Sequence, residues 1–163
     1  MTEEIHVRIG TPDDVDPMMR LALAAVDDNG FLNPNPLKIL DHIWAALNRE
    51  AGIVGIIGEI GSEPEAAILL RIGEIWYSDD KVIEEKSIFV RPEFREAKGG
   101  RASKLVDFAK SVQASLNIPL SIGVLSNERT EAKVRLYERK LGKASGAYFL
   151  YGARTGEIKE AAE

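Results

Sequence analysis

The stretch from Ile88 to Leu105 carries the strongest chemical signal in this 163-residue chain. A β-branched run closes on Val90-Arg91-Pro92, a loop carries Gly99-Gly100, and an apolar pattern of helical spacing follows. The first N–H groups of a helix have no intrahelical partner and sit at the positive end of its dipole, so such a terminus receives phosphate well. Gly99 and Gly100 let the backbone come close to an anion. Arg95, Lys98 and Arg101 add positive charge in a chain whose formal net charge is −5. The segment reads either as a pyrophosphate cradle or as a glycine turn before a solvated helix. It is not a Walker loop, which ends in Gly-Lys-Ser/Thr, and it lacks the Gly-x-Gly-x-x-Gly spacing of dinucleotide sites. Upstream, Glu84-Glu85-Lys86 sets three charges in a row inside a strand-like run. Strand side chains alternate, so one of the two glutamates should face a cleft and the other the far side of the sheet. The alternative is a salt-bridged or edge-exposed stretch.

The elements that must position these residues follow from periodicity. Ile5 to Ile9 alternates as a short strand. Thr11-Pro12-Asp13-Asp14 opens a helix with a capping residue, a proline and early acids; Val15, Met18, Met19, Ala22 and Val26 continue it to Asn29-Gly30. Pro36 opens a second helix with Leu40, Ile43, Trp44 and Leu47 on one face, Trp44 being expected in the core and His42 on the solvated side. Strands are expected over Gly52–Ile60, Ala66–Tyr77 and Val82–Val90, separated by Gly61-Ser62-Glu63-Pro64 and Ser78-Asp79-Asp80. Ala102, Leu105, Ala109, Val112 and Leu116 mark an amphipathic helix ended by Asn117. Leu120 to Leu125 reads as a strand, Glu128 to Leu141 as a helix stopped by Gly142, and Ala147 to Tyr151 as a last strand. The order β-α-α-β-β-β-α-β-α-β predicts an α+β domain with a mixed sheet, in which the crossover makes the strand ending at Val90 parallel to the one beginning at Leu120. One domain over residues 1–155 and a short charged tail over 156–163 are expected.

Composition narrows the chemistry. Hydrophobic residues make up 45% and charged residues 29%, an ordinary globular mix. The absence of cysteine excludes disulfides, thiolate nucleophiles and Cys-ligated metals, and fits a reducing compartment. The two histidines, His6 and His42, have no ligand spacing, so no metal is expected. A mildly acidic chain has no general attraction for nucleic acid. The N-terminal residues carry no signal-peptide pattern, and no apolar run reaches the roughly 20 residues of a membrane span. A cytoplasmic protein without membrane contact is the expectation.

Val90-Arg91-Pro92-Glu93-Phe94-Arg95 followed by Gly100-Arg101-Ala102-x-x-Leu105 resembles the core motif of the GNAT N-acetyltransferases, and the order of elements along the whole chain is similar to theirs, especially to the short members from phages and prophages. The loop departs from the family pattern: Arg95 stands five positions before Gly100 rather than three, and Ala97 occupies the usual Arg/Gln position. The resemblance implies a GNAT-like fold with a splayed parallel strand pair, acetyl-CoA as co-substrate, a primary amine as acceptor and, as often in the family, a homodimer. It implies that backbone groups of Phe89 and Val90 hold the pantetheine and the acetyl carbonyl. The pyrophosphate falls to the segment Lys98, Gly99, Gly100, Arg101, Ala102 and Ser103, with Arg95 nearby. Leu136-Tyr137 resembles the end of the family's last conserved helix, which makes Tyr137 the proton donor to the CoA sulfur. Thr130 replaces the family's usual asparagine, and Asn127, one turn earlier, takes its role. Glu85, five residues before Val90, matches a frequent family glutamate and is the general-base candidate. Asp27-Asp28-Asn29 reads as a solvated helix end or, less directly, as a border of the acceptor site, and Trp76 and Tyr77 end a strand near it, where aromatics ordinarily serve packing. A non-catalytic CoA-binding or interaction module on the same fold is the rival reading; an unrelated α+β domain is a further one.

Overall fold

The computed structural model describes residues 4–95, 99–126 and 129–153. Nine elements follow one another: β1 (Arg8–Ile9), α1 (Val15–Asn29), α2 (Pro36–Leu47), β2 (Gly52–Ile57), β3 (Ala66–Glu74), β4 (Lys81–Val90), α3 (Arg101–Leu116), β5 (Leu120–Ser121) and α4 (Thr130–Leu141). Short 3₁₀ turns at Pro12–Asp14 and Pro92–Phe94 lead into the segments that follow them. The sheet runs β1-β2-β3-β4-β5, antiparallel throughout except for the parallel pair β4–β5. The mixed α+β architecture and the parallel crossover agree with the sequence reading.

Period-two alternation decides which helix covers which face. Val54, Ile56 and Ala67 point to one side and bury against Met18, Leu21, Ile43 and Leu47 of α1 and α2. Ile57, Ala66, Ile68, Leu70 and Ile83 point to the other and bury against Leu105 and Ala109 of α3. The β3–β4 register holds one irregularity: Leu69 faces Ser87 while Leu70 faces Glu85, so Lys86 is an extra residue in β4. A bulge of this kind reverses the alternation. Ile83 and Glu85 before it, and Ile88 and Val90 after it, therefore share the α3 side of the sheet, whereas Ser87 and Phe89 face α1 and α2.

The entry to α1 is fixed by a buried ion pair. Arg8 donates two hydrogen bonds to the Asp14 carboxylate, each 2.8 Å, and the Thr11 amide donates a third at 2.9 Å. Asp14 is only 1% exposed. Hydrogen bonding to Arg8 holds its carboxyl below the ordinary value, against the opposing effect of burial.

Five expectations need correction. The first strand shortens to Arg8–Ile9 and the fifth to Leu120–Ser121. Ala147–Tyr151 forms no strand, because the β5 edge it would need is ordered as strand for only two residues. Trp44 is 47% exposed rather than core; α2 buries Ile43, Ala46 and Leu47 instead, so the neighbouring indole is carried to the rim. His42 is not simply solvated, since its ring lies 2.9 Å from an Arg71 nitrogen.

Candidate active site

The parallel pair is short. Only Ile83 and Glu84 of β4 are in register with Leu120 and Ser121 of β5, anchored by the Ile83 amide on the Pro119 carbonyl at 2.8 Å. Beyond that point the strands part. An open cleft of about 620 Å³ occupies the gap, lined on one side by β4 from Glu84 to Ile88 and on the other by Gly123, Val124 and Leu125. Lys133 and Tyr137 of α4 close it from the α3 side, and Asn29 at the end of α1 reaches it from the opposite face. The expected splay is present, and it sits where β4 carries its bulge.

The bulge and the ladder together set which backbone groups the cleft can use. The Arg91 amide donates to the Glu65 carbonyl at 2.9 Å, which makes Ala66–Val90 a non-bonded pair and Ala67–Phe89 the bonded one. The N–H and C=O of Phe89 are thus spent on β3. Those of Ile88 and Val90 point away from β3, toward the side where β5 has parted. The expectation that Phe89 offers its backbone to a ligand is corrected: its N–H and C=O face β3, those of its neighbour Ile88 face the parted side, and the Phe89 ring packs against the α1–α2 core.

Glu85 projects into this cleft. Burial pushes its carboxyl up to about 7 from an ordinary 4.5, opposed by a hydrogen bond from the Gly123 amide and by the charges of Lys133 and Lys86. Glu84 is engaged by Lys86, its neighbour two residues on. Tyr137 lies in the same cleft, and burial, reinforced by the charge of Glu85, raises its hydroxyl above the ordinary phenol value and keeps it protonated. Lys133, one helical turn before Tyr137, shares its face of α4. Burial and the charge of Arg129 lower its ammonium, while Glu85 pulls it back up. Lys133 and Gly123 escaped the sequence reading. The spacing of four residues from Tyr137 was the available signal for Lys133; nothing local marked Gly123.

The loop ahead of α3 is built from glycine conformations. Gly99 has φ +117° and Gly100, the residue that caps α3, has φ +59°. Side chains rarely adopt either, and a Cβ on Gly99 would sit 2.1 Å from the Ile5 Cδ1. The helix therefore opens with the amides of its first turn, including those of Ala102 and Ser103, free of any carbonyl within the helix. Two of the cationic side chains expected there, Arg95 and Arg101, are engaged within the protein itself. Arg95 folds back on β4, donating to the Val90 carbonyl at 3.0 Å and to Asp28 at 3.2 Å, with its guanidinium 5.2 Å above the Phe89 ring. Arg101 donates to Glu65 at 3.0 Å, lies 4.6 Å over the Phe94 ring, and is only 10% exposed along its side chain. Lys98 and Asn127 lie outside the described residues. Thr130 is the first residue of α4, its hydroxyl donating back to the Ser126 carbonyl at 2.9 Å. Of the acidic run at the end of α1, Asp28 is taken by Arg95, and Asn29 alone lines the cleft. Trp76 and Tyr77 pack edge to face at 5.5 Å in the β3–β4 turn, while Ile75 beside them reaches the cleft.

No protein-family model matches the chain, and no curated protein matches it by sequence. Its structure does have close counterparts. A predicted acetyltransferase from Clostridium acetobutylicum, solved with acetyl-CoA, superposes with a TM-score of 0.70 at 11% identity, over 91% of this chain and 96% of that one. AAC(6′)-Iy in complex with the bisubstrate analogue CoA-S-monomethyl-acetylneamine gives 0.66 at 14% identity, over 93% and 99%. An aminoglycoside acetyltransferase, meta-AAC0020, from an uncultured soil metagenomic sample, in complex with trehalose, gives 0.63 at 13%, over 92% and 97%. The chain has the fold of the GNAT-type acetyltransferases, with the mixed sheet and parted β4–β5 pair that its own sequence implies.

Proposed function

We propose that the chain is a GNAT N-acetyltransferase, a single domain over residues 1–155 that moves the acetyl group of acetyl-CoA to a primary amine. The observation that carries the reading is the juxtaposition, in one cleft between parted strands, of a carboxyl poised near neutral pH and a phenol held protonated. Amide formation from a thioester needs both: a base to strip the attacking ammonium and a donor for the departing thiolate. The residues fit a CoA thioester. Gly99 and Gly100 expose the start of α3 to a pyrophosphate, and the N–H and C=O of Ile88 with the N–H of Val90, whose carbonyl Arg95 occupies, offer a hydrogen-bonding edge to a pantetheine arm. Fold neighbours solved with acetyl-CoA or a CoA bisubstrate analogue support the same ligand.

Acetyl-CoA supplies an activated acyl group. Glu85, ionised above about pH 7, accepts a proton from the acceptor ammonium. The neutral amine attacks the thioester carbonyl, and the Val90 N–H donates to the oxygen as it gains negative charge. The C–S bond then breaks, Tyr137 hands its proton to the sulfur, and the surplus proton on the acylated nitrogen passes to the Tyr137 phenolate, leaving an acetamide, CoA and a protonated Glu85 that returns its proton to solvent. Lys133 stabilises the ionised form of Glu85.

Thermal-shift titration with acetyl-CoA tests the ligand, because a ligand that binds only the folded state must raise its stability. Saturating acetyl-CoA is expected to raise Tm by several degrees, and a panel of amines to release CoA thiol. The absence of any shift would refute both the transferase and the CoA-binding module.

A further inference from the structure

We infer that the acceptor is an amine with an apolar, aromatic-sized body and a single ammonium group, rather than a polycation; this rests on the acetyltransferase reading above. The walls of the cleft carry the argument. Ile75, Val82, Leu125, Tyr148, Phe149 and Leu150 line it together with the catalytic candidates. Tyr148 and Phe149 are 83% and 92% exposed, yet Tyr148 leans over Gly123, with a ring carbon 3.5 Å from where a Cβ there would stand. The aromatic pair thus stands at the mouth of the same opening that holds Glu85. Burial of exposed aromatic surface against a ligand is a general source of affinity.

The charge inventory points the same way. Among the described residues the carboxylates lining the cleft are Glu84 and Glu85, and Glu84 is neutralised by Lys86. The remaining lining cation is Lys133. Among the described residues Glu85 is the one lining carboxylate outside a salt bridge, and it matches one ammonium. A polycation would meet Lys133 and the already paired Glu84–Lys86, with no second free carboxylate, and a like charge held in a shielded cleft is costly. The charged groups acting on Glu85 are Lys133 on α4 and its own neighbour Lys86 on β4; Asp28 at the end of α1 is held by Arg95. The acceptor class therefore departs from the aminoglycosides named for some of the fold neighbours.

The test measures CoA release by the full chain at saturating acetyl-CoA with 2-phenylethylamine, ethanolamine and kanamycin, beside a thermal-shift titration with acetyl-CoA. The inference expects kcat/KM for 2-phenylethylamine at least about tenfold above either of the others. It expects Phe149→Ala and Tyr148→Ala to raise KM for 2-phenylethylamine several-fold while ethanolamine is little affected. Both side chains are exposed, so neither variant endangers the core. A preference for kanamycin or ethanolamine, or indifference of the aromatic substrate to both variants, overturns the inference and leaves the transferase standing. Acetyl-CoA binding with no turnover of 2-phenylethylamine overturns it as well. Loss of both the thermal shift and all turnover defeats the transferase reading, and the acceptor class falls with it.

Discussion

Replacing Glu85 by glutamine should weaken catalysis and strengthen the fold at the same time. The carboxyl stands at about 7 where an unburied glutamate stands at 4.5, a difference worth about 3 kcal/mol in free energy. The sign follows from linkage. The folded chain holds this proton more tightly than the unfolded one, so the cost of ionising Glu85 is absent below pH 4.5, grows as pH rises and is complete above about 7. Glutamine cannot ionise, yet its carbonyl can still accept from the Gly123 amide. Glu85→Gln should therefore raise ΔG of unfolding at pH 8 by up to about 3 kcal/mol, and by little at pH 4. On the kinetic side the wild-type kcat/KM for the amine should rise through a limb centred near pH 7, set by Glu85, below the limb set by the amine's own ionisation. In Glu85→Gln the lower limb should vanish and kcat/KM should fall by about 10²–10⁴. Urea unfolding at the two pH values and initial rates from pH 5.5 to 9 give both readouts. A variant that keeps the limb, or that loses stability at pH 8, would refute the assignment of the carboxylate as a shielded base.

Three further outcomes are expected. Tyr137→Phe, which removes the proton donor but keeps the ring, should lower kcat by about 10² and leave the KM for acetyl-CoA nearly unchanged in steady-state rates. Gly99→Val must adopt φ near +117° beside Ile5, a conformation that costs about 1–3 kcal/mol outside glycine; calorimetric titration should show acetyl-CoA affinity reduced about tenfold or more, with the pH limb of Glu85 retained. Asp14→Ala strands the partly buried Arg8 guanidinium and should cost about 3–5 kcal/mol in urea unfolding. Because the Asp14 carboxyl lies below its ordinary 3.8 in the fold, the stabilisation it contributes in the wild type is present above that value and fades as pH falls through its lowered folded-state value.

The helices and central strands were legible because burial imposes a period. Val54, Ile56 and Ala67 against Ile57, Ala66 and Ile68 show the two-faced sheet directly, and Leu105, Ala109 and the stop at Asn117 delimit α3. The bulge at Lys86 was not legible, since an inserted residue leaves no mark on composition. Its effect is decisive: five residues separate Glu85 from Val90, an odd count that puts them on opposite faces of a regular strand and on one face here. Alternation alone could say that the two glutamates part, and not which of them enters the cleft. The failure at Ala147–Tyr151 has another cause. An apolar, aromatic run has the propensity of a strand, but strand formation needs a partner edge, and β5 is ordered as strand for only two residues.

The charge of the phosphate loop teaches a related point about what a basic residue is for. Arg95 and Arg101 sit where a family pattern and simple electrostatics both assign them to an anion, and both are engaged inside the protein. Arg95 ties the end of β4 to α1 through Val90 and Asp28, and Arg101 ties the start of α3 to Glu65 at the head of β3. Each also covers an aromatic ring. These contacts hold the two ends of the loop at the parted edge of the sheet. On the proposed function, a pyrophosphate would meet the set of amides bared by Gly99 and Gly100, whose direction is fixed by the helix and whose partial charge needs no side chain. On the proposed reading the arginines are struts for an anion site made of backbone. That reading also accommodates a loop two residues longer than the GNAT pattern: amides at a helix start are set by the helix itself, and the added residues lie before it.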